Sequence, residues 1–373
     1  MEEKDFLEEK AEETADTLEA VENENTPTEK KIEEEKEEVS ISDSVKVLSP
    51  TQLIVKRFFR SKLSVFGLIT LVVLFLFSFI GPLFTSCSWC WGKDEPDTSG
   101  TISDVLSTEY TVTGEDGVEY TVYDVTYDVL KLNKFAAPSS THLLGTDQNG
   151  LDVFSRLMYG GRISLTLGFV VVIIETLIGV LMGGLAGYFG KWVDMVIMRI
   201  VDVLNCLPTL PILLIASSLL DAFDIEQDMR IYYLMVILTV FGWSGMARLV
   251  RGQILEFRDQ EFMLAAEATG LSTRRKIFSH LIPNVMPQLI VSMTLGLGSV
   301  ILMEASLSYL GMGMSYPAAA WGSMINVATN NTEILKNYFN IWGPPGFCII
   351  LAILGFNFIG DGLRDAIDPK MKR

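Results

Sequence analysis

Two cysteines in Cys87-Ser-Trp-Cys90 have the spacing of a redox or metal-binding pair. That chemistry needs a second CxxC or a thioredoxin-like βαβ setting, and the sequence offers neither. On an oxidising face the pair could instead close a disulfide staple. Gly190-Lys191 suggests phosphate binding. A P-loop, however, needs a glycine five residues earlier and a Ser or Thr next, and Leu185 and Trp192 occupy those places. His142 and His280 are the only histidines, too few for a histidine-based metal centre, and no HExxH or GxSxG is present. Asp147-Gln-Asn-Gly-Leu-Asp152 lacks calcium-loop spacing and reads as a turn capping the next helix. No catalytic constellation and no bound cofactor are expected.

The carboxylates that stand out lie in apolar surroundings. Glu175 falls in the middle of a hydrophobic block, with Asp202 and Glu304 nearer the ends of theirs. Ionisable groups at such depth face a bundle interior or a water-filled path; an interhelical hydrogen bond is the plainer alternative. Pro208-Thr-Leu-Pro211 should kink its block and free backbone carbonyls, which shapes cavities in some membrane helices and is inert in others. Cys206 and Cys348 also fall in apolar blocks and read as packing residues.

These residues need a frame. About 20 apolar residues span a bilayer core of about 30 Å. Six blocks qualify, near 63–85, 163–188, 201–220, 231–250, 285–310 and 346–363. The first lies too far into the chain for a signal peptide and reads as a retained transmembrane helix. Lys/Arg bias orients the set. Lys56, Arg57, Arg60 and Lys62 precede the first block, Lys191 and Arg199 follow the second, and Arg251, Arg258, Arg274, Arg275 and Lys276 follow the fourth. Arg364, Lys370, Lys372 and Arg373 end the chain. Both termini are thus expected in the cytoplasm, and residues 86–160 outside.

Among 373 residues with a net charge of −17, acidity is segregated. Residues 1–46 hold 18 acidic against 6 basic side chains, residues 86–160 hold 12 against 4, and the apolar remainder is slightly basic. An acidic chain of this kind argues against nucleic-acid binding. Residues 1–46 have too few apolar side chains to offset chain ordering, which predicts a disordered cytoplasmic tail. In the insert, Tyr110-Thr-Val-Thr and Val118-Glu-Tyr-Thr-Val-Tyr flank Gly114-Glu-Asp-Gly117 and predict a β hairpin, either an entrance or partner element or simple ornament. The expected organisation is a tail (1–46), a lead-in and first transmembrane helix (47–85), the extracellular insert (86–160), a five-helix core (161–366) with a cytoplasmic loop at 251–283, and a cytoplasmic end (367–373).

That loop is the most informative segment. Asp259 is placed to cap a short helix whose Ala265, Ala266 and Ala268 keep its surface low. Gly270 suits the left-handed position after it. Ser272 can then cap a second short helix bearing Arg274, Arg275 and Lys276, stopped before Pro283. Small residues on a protruding helix let another protein's groove approach closely; an amphipathic helix lying on lipid is the alternative.

Ala265-Ala266 and Gly270, followed by Pro283, resemble the EAA loop of ABC importer permeases; the segment departs from it in Leu264, standing where a Glu often sits, with Glu267 following the two alanines instead. Leu144-Gly-Thr-Asp-Gln-Asn-Gly-Leu-Asp-Val-Phe-Ser-Arg-Leu-Met-Tyr-Gly-Gly-Arg-Ile-Ser164 is similar to the segment entering the second helix of the C-type permease of dipeptide/oligopeptide importers. Glu304-Ala-Ser-Leu-Ser-Tyr-Leu-Gly311 with Trp321-Gly322 resembles that family's fifth span and following loop. Phe356-Asn-Phe-Ile-Gly-Asp-Gly-Leu-Arg-Asp-Ala-Ile-Asp-Pro369 resembles its C-terminal end. Together these cover about residues 50–373, but not the acidic tail or the hairpin. The resemblance implies an all-α polytopic protein of the type I ABC importer permease fold, embedded in plasma-membrane lipid. It implies a second homologous permease subunit and two cytoplasmic ATPases that bind ATP and Mg²⁺. It also implies an extracytoplasmic binding protein and a peptide substrate. The chain itself would be non-catalytic, with Ala265, Ala266, Glu267, Gly270, Arg274, Arg275 and Pro283 in the ATPase-coupling loop. Related permeases carry nickel chelates or other small solutes, so the substrate stays open. A membrane receptor sensing through the insert also remains open, but it has no use for the Ala-Ala…Gly loop.

Overall fold

A computed structural model describes residues 49–84, 92, 94–98, 107–125, 132–314, 318–329 and 331–367. The acidic tail, Cys87 and Cys90 lie outside them. The chain divides into two compact units, residues 1–55 and 56–373. Of the first, only the opening of helix α1 (Pro50–Arg60) is described. There Ser49 N–H donates to Gln52 Oε1 (3.1 Å) and Gln52 N–H donates to Ser49 Oγ (3.3 Å), a reciprocal cap ahead of a proline that needs no donor at the first helical position.

The second unit is helical apart from the hairpin. In chain order it contains α2 (Lys62–Phe75), β1 (Ser107–Thr113), β2 (Glu119–Val125), α3 (Val153–Phe189), α4 (Lys191–Cys206), α5 (Thr209–Ala222) and α6 (Gln227–Arg258). After these come α7 (Glu261–Ala268), α8 (Thr273–Arg275), α9 (Ile282–Tyr309), α10 (Trp321–Thr329), α11 (Thr332–Asn337) and α12 (Phe339–Ile367). Among the described residues, five continuous helical stretches are long and apolar enough to cross a membrane: Lys62–Leu83, Val153–Phe189, Met229–Arg258, Thr273–Tyr309 and Phe339–Ile367. The sixth expected crossing, near 201–220, is not one helix. It is the pair α4 and α5, bent by 80°. Between them Leu207 is extended (ψ 132°), because a residue before proline avoids the helical region, and Pro208 at the N-cap of α5 is extended with it (ψ 104°). Pro211 falls in the first turn of α5, where its missing N–H costs nothing. The break also leaves Cys206 exposed at the end of α4 rather than packed, whereas Cys348 is buried as expected.

Helices α3 and α6 pack along most of their length. Gly179, Gly183 and Gly187 on α3 recur every fourth residue and let the backbones approach. A Cβ on Gly183 would fall 2.3 Å from the carbonyl oxygen of Ala247. The main hydrophobic core joins Leu165 and Leu167 of α3, Leu213 of α5, Ile301 of α9, Trp321 of α10 and Ala352 of α12. A separate cluster gathers Val250 and Ile254 of α6, Met263 of α7, Leu281, and Val285 and Leu289 of α9.

The hairpin is antiparallel, with Tyr110 opposite Val122 and Val112 opposite Tyr120. Gly117 is left-handed in its turn (φ 74°), and Asp116 accepts from Val118 N–H (3.2 Å) and Tyr120 OH (2.8 Å).

Candidate functional site

Helix α7 has eight residues, too short to persist alone. It is held by burying Met263, at 4% exposure, in a cluster with Val250 and Ile254 of α6 and Val285 and Leu289 of α9; Ala266 is also buried, at 6%. Burying a methionine side chain contributes roughly 1.5–3 kcal/mol. The opposite side carries Leu264, Ala265, Glu267 and Ala268, all exposed. The two alanines of the expected motif therefore part company: Ala266 is a packing residue, and Ala265 is on the open face.

The helix begins one residue later than the sequence suggests. Gln260 occupies the N-cap, extended and without a side-chain bond, while Asp259 ends α6 and turns its carboxylate to Arg258 Nε (3.2 Å). At the other end Gly270 is left-handed (φ 71°), as its position requires. Its N–H donates to Glu267 O (2.9 Å), and Leu271 N–H donates to Ala266 O (3.2 Å), which closes the last turn.

Beyond the turn the second expectation fails. Ser272 precedes α8 but makes no side-chain cap, and the helix does not stop before Pro283. From Thr273 it runs to Tyr309 through a π-helical turn at Lys276–Leu281. The widened turn precedes Pro283, which then sits in the first turn of α9 and need not donate. Arg274 and Arg275 are exposed on this rim beside Phe278.

Polar ties fasten the loop to the bundle. Arg258 Nη1 donates to Gly187 O (3.2 Å), one of the unsatisfied carbonyls ending α3. Lys276 Nζ lies 3.7 Å from Glu267 Oε1 and 6.0 Å from the Tyr188 ring centre. Arg251 grips Asp194 of α4 through Nε and, at 2.6 Å, through Nη2.

The other candidates lie apart from this loop. Glu304 is fully enclosed, accepting from Ser164 Oγ (2.9 Å) and Ser308 Oγ (2.8 Å). It braces α9 against α3 in the bundle interior. Glu175 is half-buried against Gly242 of α6, and Pro208 and Pro211 mark the α4–α5 bend.

A further polar cluster secures the start of α3. Buried His142 places Nδ1 2.9 Å from Asp152 Oδ1 and Nε2 3.2 Å from Asp97 Oδ2. Asp152 caps α3 by accepting from Ser155 N–H (2.7 Å). Asp147 accepts from the N–H groups of Asn149 (2.8 Å) and Leu151 (3.0 Å) and faces Arg156 Nε at 3.6 Å. Burial pushes the Asp147 carboxyl above its ordinary value, and Arg156 opposes that rise.

Sequence reasoning treated Leu264 only as a departure from the motif and missed Phe278; both are large apolar side chains left open, at 58% and 60%. The helical period fixed by Met263 and Ala266 would have turned Leu264 outward. It also missed the Asp97–His142–Asp152 cluster, whose members are too scattered for any spacing rule.

Six apolar crossings, counting the bent pair, and a capped short helix standing at one end of the bundle define a multi-pass membrane protein. Residues 177–373 match the family described as binding-protein-dependent transport system inner membrane component, and residues 49–89 match the N-terminal TM domain of oligopeptide transport permease C. The dipeptide transport system permease protein DppC of Alkalihalophilus pseudofirmus is 34% identical over 88% of this chain and 93% of its own length. DppC of Bacillus subtilis is 36% identical over 89% and 90%. The oligopeptide transport system permease protein OppC of Bacillus subtilis is 34% identical over 85% and 88%. The chain belongs to this family of binding-protein-dependent membrane transport permeases.

Proposed function

We propose that the chain is one of two homologous permease subunits of an ATP-driven importer of dipeptides or oligopeptides. It supplies half of the translocation path and one coupling loop. Two ATPase subunits binding ATP and Mg²⁺ dock on α7 from the cytoplasm, and a binding protein delivers peptide from outside. The chain contributes no hydrolytic residue. Both termini are cytoplasmic and the hairpin faces outward, in keeping with the Lys/Arg distribution.

The observation that carries this reading is the form of α7: a short helix anchored on one side, with Leu264, Ala265 and Glu267 open on the other. An apolar side chain beside a small residue makes a surface that an apolar socket on another protein can cover. Arg274 and Arg275 stand at its rim as charged contacts, and Gly270 sets its direction. The test is a cysteine at Ala265 in inside-out vesicles of cells expressing the whole importer. Cross-linking to an ATPase subunit is expected. A cysteine that reacts only from the outer face, or that never captures an ATPase, refutes the assignment.

A further inference from the structure

A carboxylate in mid-membrane is stable only where water, a cation or a hydrogen-bond donor can reach it. Glu175 has such a position. Its carboxylate occupies a notch that exists because residue 242 is glycine: a Cβ there would fall 1.6 Å from Oε1 and 2.3 Å from Cδ. At 1.5 Å per residue the notch lies about 18 Å along α6 from Arg230 and about 24 Å from Arg258, well inside the span. Among the described residues no hydrogen-bond donor meets this carboxylate.

On the two sides of the notch α6 exposes different faces, about half a turn apart around the helix. Toward Arg230 it presents Tyr232 and Val236, bulky and apolar as a lipid-facing surface should be. Toward Arg258 the exposed positions include Gly245, Arg248 and Gly252, and nothing lies within 4 Å of where a side chain at either glycine would begin. Arg248 Nη2 donates to Asp202 Oδ1 of α4 at 3.0 Å, yet both side chains remain more than half exposed, at 54% and 53%. One turn nearer the notch, Ser244 Oγ donates to Asn205 Oδ1 (3.2 Å). Acyl chains pack poorly on bare backbone and solvate neither ion.

From this placement we propose that the face toward Arg258 is a wet passage, and that Glu175 is a station for the ammonium group of a passing peptide. The Asp202–Arg248 pair lies next, about 9 Å further toward the cytoplasmic end at the helical rise. Its two charges can exchange in turn with a peptide's ammonium and carboxylate. Glu304 has no part in this, being sealed among serines. The proposal rests on the peptide-importer reading above and names residues that reading leaves open.

The test uses the assembled importer in inside-out vesicles, with the native cysteines replaced by serine. Gly245→Cys is compared with Leu177→Cys, a position 64% exposed on the apolar surface of α3. A charged, membrane-impermeant methanethiosulfonate should label position 245 at least about tenfold faster, since a wet thiol ionises and a lipid-bound one does not. A lysine-bearing peptide supplied with the binding protein and ATP should slow that labelling. Glu175→Gln should weaken the protection about tenfold for the cationic peptide, and less for an N-acetylated neutral one. Gly242→Ala, which must expel the carboxylate, should behave alike, with co-purification of the ATPases reporting its assembly.

Equal labelling at 245 and 177 overturns the wet passage. Labelling that peptide does not slow, or protection unchanged by Glu175→Gln, overturns the peptide station. If no peptide stimulates ATP hydrolysis by the wild-type assembly, the importer reading fails instead, and the comparison of the two cysteines still decides whether the face is wet.

Discussion

Gly270→Val isolates the backbone geometry of the loop. The residue is left-handed at φ 71°, and nothing lies within 4 Å of an added Cβ, so the substitution meets no steric obstacle. Its cost is conformational. A non-glycine residue in this region costs about 1–2 kcal/mol, and a β-branched one lies at the upper end or beyond. If the chain escapes by unwinding, it gives up the bonds from Gly270 N–H to Glu267 O and from Leu271 N–H to Ala266 O, worth about 0.5–1.5 kcal/mol each. Either way α7 is no longer held at one angle, and about 2 kcal/mol corresponds to roughly a 30-fold shift between turn conformations. The assay is peptide uptake by vesicles, set beside binding-protein-stimulated ATP hydrolysis in the same preparation. The Val variant should assemble with reduced uptake per ATP hydrolysed. Gly270→Asn, a residue that tolerates the left-handed region, should recover most of the coupling. Wild-type coupling in the Val variant would refute the argument, and so would an Asn variant as defective as Val.

Gly183→Ala should lower the thermal unfolding midpoint in detergent, because its Cβ would meet Ala247 O at 2.3 Å. Gly184→Ala should not, its nearest neighbour being Ile254 Cδ1 at 3.7 Å. His142→Ala removes a hydrogen-bond partner from the buried carboxylates of Asp97 and Asp152, and should cost about 1–3 kcal/mol by chemical denaturation; pairing it with Asp97→Asn should recover part of the loss. Asp147 titrates above its ordinary value of 3.8 in the folded protein, so the folded state binds the extra proton and stability falls as pH rises from that value through the raised one. Asp147→Asn should flatten the thermal midpoint across that pH window. Glu304→Leu removes the acceptor shared by Ser164 and Ser308 and should loosen α9 from α3, read as faster hydrogen exchange at the backbone amides near Trp321.

Much of the frame was legible because the bilayer imposes a length and a composition on every crossing. Five of six spans follow from apolar block length alone. The sixth needed a second signal: 201–220 is apolar throughout, and Pro208-Thr-Leu-Pro211 announces the kink there, but hydropathy ignores direction and does not give its size of 80°. The left-handed Gly270 was readable from the local sequence, since only the chain's own sterics decide it. The fate of Pro283 was not. Whether a proline ends a helix depends on whether the preceding turn can widen, and here the π-helical turn at Lys276–Leu281 absorbs it. Ala265 and Ala266 looked equivalent as residue types. Their separation into an open and a buried face needed the position of the second hydrophobic cluster, to which the flanking segments at 250–254 and 281–289 both contribute.

That second cluster bears on how the loop can act. An eight-residue helix owes little of its stability to its own hydrogen bonds, so α7 exists where Val250, Ile254, Leu281 and Val285 give Met263 a place to bury. The cluster is distinct from the main core, and its members come from α6, α9 and α7, with Tyr188 of α3 packed at its edge. Arg258 and Lys276 reach the same end of α3. A force on the open face of α7 therefore cannot move that helix alone without exposing Met263. It must displace the adjoining ends of α3, α6 and α9 together. Interdigitated side chains shift between discrete packings rather than bending smoothly. The loop is thus mechanically tied to three spans, and shortening Met263 to Ala should loosen that tie before it affects the main core.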